Sequence, residues 1–420
     1  MWFPLGLRSR PPRRIGRFAR SVAPAALFLV FAGPLSAGWT ASWFTSQQLT
    51  EPRNLPPAPG LSHATLRQYF LPTLGGSRMR VQISNAFGLS PLVVSRARIA
   101  VAGPNGSIDP STDRALLFGG REQVMVPPGA SFLSDPLDLA IAPLRRMAVT
   151  LAIAEAPTMV TGHPGSRTTS YLAPGDEAAS ATLPSPATAE HWYFLTSLEV
   201  WTDAPAAAIC ALGDSITDGH ASITNADNRW PDDLARRLQA EPGDRSVAVL
   251  NAGIGGNCLL RGGLGPNALA RFDRDVLAPP GVKSLIVLEG INDIGSVLRL
   301  GKMGRPYAHA ADLILALQQI VARAHAHGIR VFGGTITPYG GCSFYFSPEG
   351  EVERQMVNAW IRAPGHFDGV IDFEAAVRDP SDPIRLAPRY DSGDHLHPSP
   401  AGYQAMADAI DLAAVAPAHG

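Results

Sequence analysis

The chain has 420 residues, of which 45% are hydrophobic and 17% are charged. This length allows two or three well-packed domains, and this composition excludes disorder as the state of the whole chain. The formal net charge of −1 at pH 7 provides no basic footprint, so we expect no nucleic-acid partner.

The first 37 residues have the pattern of a secretory signal peptide. They contain six arginines and no acidic residue, and an apolar run at 22–35 is followed by Ser36, Ala37 and Gly38. This order of basic, apolar and small residues predicts export with cleavage near Ala37. A retained N-terminal anchor is the alternative, although the run is short for a bilayer span. The arginine pair at 13–14 suggests a twin-arginine route, but the residues after it fit that signal poorly. No later segment has 18 uninterrupted apolar residues, so we expect no stable membrane insertion of the mature chain.

Residues 38–203 consist of short segments of β-type sequence interrupted by Gly, Pro and Asn. Segments of this kind at regular spacing, with almost no helical periodicity, predict an N-terminal β-sandwich domain of the jelly-roll kind. The clearest of these segments are 78–84, 92–101, 147–154 and 192–201.

Residues 204–420 have a different pattern, in which short apolar runs alternate with helical stretches. Such alternation predicts an α/β domain of three layers, with a parallel sheet between two layers of helices. The predicted strands are 206–212, 247–250, 285–288, 331–335 and 370–373. The predicted helices are 230–240, 268–277, 308–327, 349–362 and 401–414. Ligands of such domains bind beyond the carboxyl ends of the strands, so the loops there should carry the chemistry.

Four polar motifs follow these predicted strands or precede the last helix, at 213–219, 251–257, 289–293 and 391–398. Each alone has a plain structural explanation, such as a helix cap or a tight turn. Together they bring Ser215, Asn292, Asp394 and His397 to one edge of the sheet. A serine becomes a nucleophile when an oriented base takes its proton, and an oxyanion needs preorganised N–H donors.

In this arrangement the sequence resembles the GDSL or SGNH hydrolases, serine esterases with a flavodoxin-like fold. The resemblance covers about residues 206–415, and it is closest to secreted bacterial acylhydrolases and arylesterases with an N-terminal β domain. One departure is Ile216, where the family name has leucine. The matching residues are Gly213, Asp214, Ser215, Gly256, Gly290, Ile291, Asn292, Asp293, Asp394, His397 and Pro398.

The resemblance implies a catalytic triad in which Ser215 is the nucleophile, His397 its general base and Asp394 the residue that orients the base. It also implies an oxyanion hole formed by the N–H groups of Ser215 and Gly256 and by the side chain of Asn292. Two neighbours compete for these roles. Gly255 competes with Gly256, which we prefer because it stands directly before Asn257. His395 competes with His397, which we prefer because it has an acid three residues upstream.

Other enzyme classes lack their motifs in this sequence. It contains neither the G-x-G-x-x-G spacing nor a Walker A motif, and it contains no H-E-x-x-H motif. Ser215 is not in a G-x-S-x-G elbow, which excludes an ordinary α/β-hydrolase. We therefore expect no cofactor and no metal. One alternative that is not an enzyme remains, a non-catalytic exported carbohydrate-binding protein.

The residues near the motifs suggest short acyl esters as substrates, because a long acyl chain needs apolar contacts to bind. The flanking residues are polar or small: His220, Ser222, Thr224, Asn225, Asn228, Gly262 and Gly263. Acetyl groups on a polysaccharide would fit, and a lipase-like enzyme for longer chains is the alternative. A few aromatic residues of the β domain are candidates for stacking on sugars, although most should be core: Trp39, Trp43, Phe44, Tyr69 and Phe70.

Three cysteines, Cys210, Cys258 and Cys342, are too few for a disulfide scaffold. Cys258 and Cys342 both follow predicted strands on the active-site side. A disulfide between them is one hypothesis for an exported protein, and three free thiols are the other.

Overall fold

The structure is a computed structural model, and it describes residues 37–242, 246–295 and 308–417. The predicted signal peptide, apart from its last residue, lies outside the described residues, so the export prediction stays a prediction. Among the described residues, no helix combines the length and the apolar character needed to cross a membrane.

The N-terminal region is built from antiparallel strands in three sheets. Their orders are β1-β14-β4-β8, β13-β10-β2 and β12-β11-β3-β9-β5-β6, and β7 pairs with β5. The strands are β1 (Gly38–Phe44), β2 (Gln48–Leu49), β3 (Ala64–Phe70), β4 (Arg78–Ser84), β5 (Leu92–Val101), β6 (Arg114–Leu116), β7 (Val124–Val126), β8 (Ser131–Leu133), β9 (Met147–Glu155), β10 (Thr161–His163), β11 (Ser170–Pro174), β12 (Ala187–Ala189), β13 (Trp192–Tyr193) and β14 (Leu195–Thr202).

Sequence alternation located the long strands of this region well. Arg78–Ser84 and Leu92–Val101 have the predicted bounds. In Arg78–Ser84 alternate side chains enter the core, and Leu92–Val101 is rich in the Val, Ile and Ala from which it was predicted. The predicted strand at 192–201 is divided in two at Phe194, whose φ is +60°. A β-rich region is therefore confirmed, whereas the jelly-roll sandwich is not.

The C-terminal region contains a parallel sheet of five strands in the order β16-β15-β17-β18-β19. The first strand of this sheet along the chain, β15, thus lies second from the edge. This is the flavodoxin-like strand order, and it confirms the predicted fold of this half. The strands are nearly continuous apolar runs because both faces of the sheet are buried. They are β15 (Ala207–Gly213), β16 (Val247–Gly253), β17 (Val282–Leu288), β18 (Arg330–Gly334) and β19 (Gly369–Ile371).

The helices follow the predicted stretches, with two corrections near the C-terminus. The stretch at 401–414 is not one helix but two, since helical structure stops at Asp408 and resumes at Leu412. The last strand ends at Ile371, because the Asp372 side chain accepts the N–H of Ala375 and starts a helix there. The helices are α1 (Ser215–Asp218), α2 (Trp230–Ala240), α3 (Ala268–Phe272), α4 (Ala310–Ala326), α5 (Pro348–Arg362), α6 (Phe373–Val377), α7 (Pro400–Asp408) and α8 (Leu412–Val415). A π-helical segment, Asp273–Leu277, directly continues α3.

The predicted domain boundary at 203/204 lies between β14 and β15, and the two regions pack against each other. Strand β16 is the edge strand on the β-region side, where Asn251 forms a parallel bridge with Thr45. The buried Thr73 hydroxyl accepts the N–H of Val249 at 3.0 Å and lies 2.7 Å from the carbonyl oxygen of Ser42 and 3.1 Å from that of Val249. Strands β2 and β10 lie beside the carboxyl ends of the parallel strands.

Candidate active site

Ser215 lies directly after β15, at the first position of the short helix α1. The carboxylate of Asp214 accepts the N–H of Ile216 at 2.9 Å and caps this helix. The Ser215 side chain is buried, and its Oγ lies 2.9 Å from Nε2 of His397. At the first helical position the N–H of Ser215 has no acceptor within its own helix. A ligand beside the Ser215 hydroxyl can therefore also accept a hydrogen bond from this N–H.

His397 is held by Asp394, three residues upstream in the loop before α7. Its Nδ1 lies 2.6 Å from Oδ2 of Asp394, whose Oδ1 accepts the N–H groups of His397 and Leu396 at 2.8 and 2.9 Å. Burial alone would raise the pKa of Asp394, but the hydrogen bonds from His397 and these N–H groups hold the pKa well below its usual value. An ionised Asp394 orients His397 with a proton on Nδ1, which leaves Nε2 to accept the proton of Ser215.

His395, the competing histidine, faces another partner. Its Nδ1 lies 2.6 Å from Oδ2 of Asp391, and its side chain is half exposed. The chain turns at this residue, whose φ is +62°. The geometry therefore joins His397, rather than His395, to Ser215.

The two candidate glycines of the loop after β16 differ in what their N–H groups contact. The N–H of Gly255 donates to Oδ2 of Asp218 at 3.1 Å. Within the described part of the chain, the N–H of Gly256 has no hydrogen-bond acceptor. Gly256 has a φ of +73°, and a Cβ there would lie 2.8 Å from Cδ1 of Leu264, so glycine is required. The structure thus favours Gly256 as the oxyanion donor.

Asn292 lines the same cleft as Ser215 and Gly256. Its Nδ2 donates to the carbonyl of Asn257 at 2.8 Å, and its Oδ1 accepts the hydroxyl of Tyr345 at 2.8 Å. These two contacts fix which way the amide faces. Tyr345 could not be found from the sequence, because it is 53 residues away and belongs to none of the four motifs.

Arg271, in α3, is a fully buried guanidinium that joins the ends of two strands. It donates to the carbonyls of Gly213 and Ala252 at 2.9 and 2.6 Å and to Oδ1 of Asn257 at 2.9 Å. It also contacts buried carboxylates of Asp275 at 3.1 Å and Glu289 at 3.5 Å. This role could not be found from the sequence, because Arg271 stands close to Asp273, Arg274 and Asp275 in the predicted helix and no pattern distinguishes it from an exposed charged residue.

Buried carboxyl groups lie beneath the site. Burial and their mutual repulsion raise the pKa of both Asp214 and Glu289, against the attraction of Arg271. Burial also raises the pKa of Asp293 to about 6, although its carboxylate accepts the N–H groups of Leu259 and Leu260 at 2.8 and 3.1 Å. Through these hydrogen bonds Asp293 connects the loop after Gly256 to the turn that contains Asn292.

His220 packs against the proposed base, with 4.0 Å between its ring centre and that of His397. Its Nδ1 accepts a hydrogen bond from Nη2 of Arg167 at 3.1 Å. Burial, together with the charges of His397 and Arg167, lowers the pKa of His220 to about 4, so this ring is neutral near pH 7. Ligand atoms of His220, Asp394 and His397 lie within 4.8 Å of one another, but the hydrogen bonds from His397 to Ser215 and Asp394 already use both of its nitrogens.

The site opens into a cleft of about 470 Å³ between the two regions. The α/β region supplies one wall: Ser215, Asp218, His220, Gly255, Gly256, Leu264, Asn292, Phe344, Tyr345, Asp394, Leu396 and His397. The β region supplies the opposite wall: Gln48, Glu51, Arg53, Asn54, Pro164, Gly165, Arg167 and His191. Among the polar flanking residues chosen from sequence, His220 lines this cleft.

The cysteine hypothesis is corrected by the structure. Cys210, Cys258 and Cys342 are all buried free thiols, so the bridge between Cys258 and Cys342 is wrong. Among the aromatic residues considered for sugar stacking, Trp43, Phe44, Tyr69 and Phe70 are buried in the core.

Comparison with known proteins gives a family match for the C-terminal half. The model of the GDSL-like lipase/acylhydrolase family matches residues 211–405, somewhat less than half of the chain. The comparison with curated proteins finds no match. The family match confirms the predicted family for residues 211–405, and the enzyme class that it indicates is a carboxylic ester hydrolase.

Several solved structures align with about half of this chain. A lipolytic protein of the G-D-S-L family from Desulfitobacterium hafniense has 21% identity and a TM-score of 0.37, over 48% of this chain and 96% of that one. A lipase/acylhydrolase from Enterococcus faecalis has 21% identity and a TM-score of 0.36, over 48% and 92%. A variant of Axe2, an acetyl xylan esterase from Geobacillus stearothermophilus, has 22% identity and a TM-score of 0.39, over 50% and 94%.

Proposed function

Since residues 211–405 form a GDSL-like lipase/acylhydrolase domain, we propose that the protein is a secreted serine esterase for carboxylic esters with short acyl groups. Its proposed substrates are acetyl esters of carbohydrates. The observation that carries this proposal is the continuous contact from Ser215 Oγ to His397 Nε2 at 2.9 Å and from His397 Nδ1 to Asp394 Oδ2 at 2.6 Å.

In the proposed mechanism, Oγ of Ser215 attacks the ester carbonyl while its proton passes to Nε2 of His397. The N–H groups of Ser215 and Gly256 and the amide of Asn292 stabilise the negative charge that develops on the carbonyl oxygen. The tetrahedral intermediate collapses, the C–O bond to the alcohol breaks, and His397 gives the proton to the departing alcohol. Water, activated by His397, then attacks the acyl-serine, which releases the carboxylic acid and restores Ser215.

The preference for short acyl groups rests on the lining of the cleft. Each methylene of an acyl chain stabilises binding by ~0.8 kcal/mol only when apolar contacts surround it, and most cleft side chains are polar. The wall from the β region, with Gln48, Glu51 and Asn54, offers donors and acceptors suited to sugar hydroxyls. One observation favours the second candidate, a lipase-like enzyme for longer chains: Leu264 and Phe344 line the cleft and are exposed by 36% and 47%.

A comparison of acyl lengths separates these candidates. We expect kcat/KM to be highest on the p-nitrophenyl ester of acetate, lower on butyrate and lowest on octanoate, and we expect release of acetate from an acetylated xylan. A clear octanoyl preference would favour the lipase-like enzyme. Absence of hydrolysis on all of them, with retained binding of polysaccharide, would favour the non-catalytic binding protein.

The proposal of secretion is tested separately. It depends on the basic and apolar pattern of residues 1–37. N-terminal sequencing of the protein recovered from outside the cytoplasm should begin near residue 38, whereas an intact N-terminus in the cell envelope would indicate the retained anchor.

A further inference from the structure

His163, the last residue of β10, reaches from the β region into the base of the candidate active site. Its side chain is 3% exposed. Nδ1 lies 2.8 Å from the carbonyl oxygen of Ser46, and Nε2 lies 2.8 Å from Oδ1 of Asp218. The imidazole also stacks on the ring of Trp192, with 5.7 Å between the ring centres. Its position is therefore fixed from three sides.

Both nitrogens of His163 face acceptors. A carbonyl oxygen can only accept, so Nδ1 donates to Ser46. Burial would raise the pKa of Asp218, but His163 and nearby arginines hold it below its usual value, so its carboxylate also accepts. His163 thus forms two buried hydrogen bonds, one with Ser46 and one with Asp218.

Asp218 connects this histidine to the proposed oxyanion hole. It is the last residue of α1, the helix that begins with Ser215. Its Oδ2 accepts the N–H of Gly255 at 3.1 Å, and Gly256 follows directly in the chain. A Cβ at Gly165 would lie 1.8 Å from the same oxygen, so the backbone after His163 packs directly on the carboxylate.

We propose that the β region completes the catalytic site, with His163 as a positioning residue that acts through Asp218 to hold the N–H of Gly256 toward the oxyanion. The proposal rests on the proposed esterase function. His163 touches neither the substrate nor Ser215. It fixes the orientation of Asp218, and Asp218 fixes the peptide beside the oxyanion donor. Because an oxyanion donor acts in the transition state, a displaced loop should lower kcat rather than weaken substrate binding.

The same segment of the β region also reaches the other side of the site. Arg167 donates to Nδ1 of His220 at 3.1 Å, and the His220 ring packs on His397. The β region thus contacts residues beside both the oxyanion loop and the base. This second contact supports the view that the two regions form one catalytic unit.

Two amide substitutions of His163, both close to histidine in shape, distinguish a role in positioning Asp218 from a role in packing alone. In His163→Gln the amide nitrogen takes the place of Nε2 and donates to Asp218. In His163→Asn it takes the place of Nδ1 and reaches only Ser46. His163→Ala removes both hydrogen bonds. Thr73→Val is the matched control, since it removes a buried hydrogen bond between the same two regions, from the N–H of Val249, away from the cleft.

The measurements are kcat and KM on p-nitrophenyl acetate, with thermal unfolding of each variant. We expect His163→Asn and His163→Ala to lose about 10- to 100-fold in kcat with little change in KM, and His163→Gln to stay within about 3-fold of the parent protein. Thr73→Val should unfold at a lower temperature and keep its kcat.

Several results would overturn the proposal. These are a folded His163→Asn with the parent kcat, equal losses in the two amide variants, or a loss in Thr73→Val as large as that in His163→Asn. Failure of both amide variants to fold would assign His163 a structural role and overturn it as well. A parent protein inactive on every ester would overturn the proposed function, and this inference with it.

Discussion

The hydroxyl of Tyr345 donates to Oδ1 of Asn292 at 2.8 Å, and this contact orients the amide nitrogen of Asn292 in the cleft that contains Ser215. The carbonyl of Asn257 accepts from the same nitrogen at 2.8 Å. The amide therefore cannot turn without losing two hydrogen bonds. Such preorganisation is what an oxyanion donor requires, because no energy is then spent on reorientation during the reaction.

Asn292→Ala should consequently lower kcat by about 10²- to 10³-fold with little change in KM. Tyr345→Phe keeps the amide but removes the hydroxyl that orients it, so we expect a smaller loss. Steady-state kinetics on p-nitrophenyl acetate test both variants. A folded Asn292→Ala with the parent kcat would remove Asn292 from the oxyanion hole and leave it as a turn residue.

Arg271→Leu should lower the free energy of unfolding by about 3–5 kcal/mol, because it removes a buried cation and leaves the buried carbonyls of Gly213 and Ala252 without this donor. The acidic partners of Arg271 are Asp275, which keeps its contact with Arg274, and Glu289. Arg274→Leu is the control, since Arg274 binds the same Asp275 from a side chain that is 34% exposed, and we expect a clearly smaller loss. Urea unfolding measures both. Equal losses would show that Arg271 has no special structural role.

His220 should make the folded state less stable in acid. Its pKa falls from an ordinary value of 6.5 to about 4 in the folded protein, so between these pH values the unfolded chain binds more protons. The effect of His220 on the free energy of unfolding is therefore most favourable above pH 6.5. This free energy decreases as the pH falls toward 4.

His220→Gln should flatten this part of the pH dependence, and His327→Gln, at an exposed position, should leave it unchanged. Urea unfolding at pH 5 and pH 7.5 measures the difference. An unchanged pH dependence in His220→Gln would contradict the lowered pKa.

The protein denatured without reductant should titrate three thiols, since Cys210, Cys258 and Cys342 are all free. In the native state the thiols should react slowly, because all three are buried and burial raises the pKa of each. Titration with a chromogenic disulfide reagent tests both statements. A count of one would restore the bridge between Cys258 and Cys342.

The sequence predicted the parts of the site that lie on local motifs. Ser215, Gly256, Asn292, Asp394 and His397 each follow a strand or precede a helix, and parallel strands bring such positions to one edge of the sheet. Local pattern also indicated the β-rich region and most strand bounds of the α/β half. The break in the last helix, at Ala409, Ile410 and Asp411, was missed because no glycine or proline marks it, although Asp411 is a helix-capping residue that caps the helix after it.

The supporting residues could not be predicted in the same way. His163, Arg167 and Tyr345 reach the site through contacts between distant segments, and their own neighbourhoods carry no motif. His163 in particular is 55 residues from Asp218 in sequence and belongs to the β region. The packing of the two regions decides which histidine of the β region faces the catalytic half. Hydrophobic periodicity in the sequence does not show how the regions pack.

The most direct test of the account is the hydrolysis of p-nitrophenyl acetate by three alanine variants, each checked for folding. The account predicts that Ser215→Ala and His397→Ala each lose roughly 10³-fold or more in kcat, and that His395→Ala stays close to the parent enzyme. Full activity in Ser215→Ala, or a loss in His395→Ala with activity retained in His397→Ala, would contradict it.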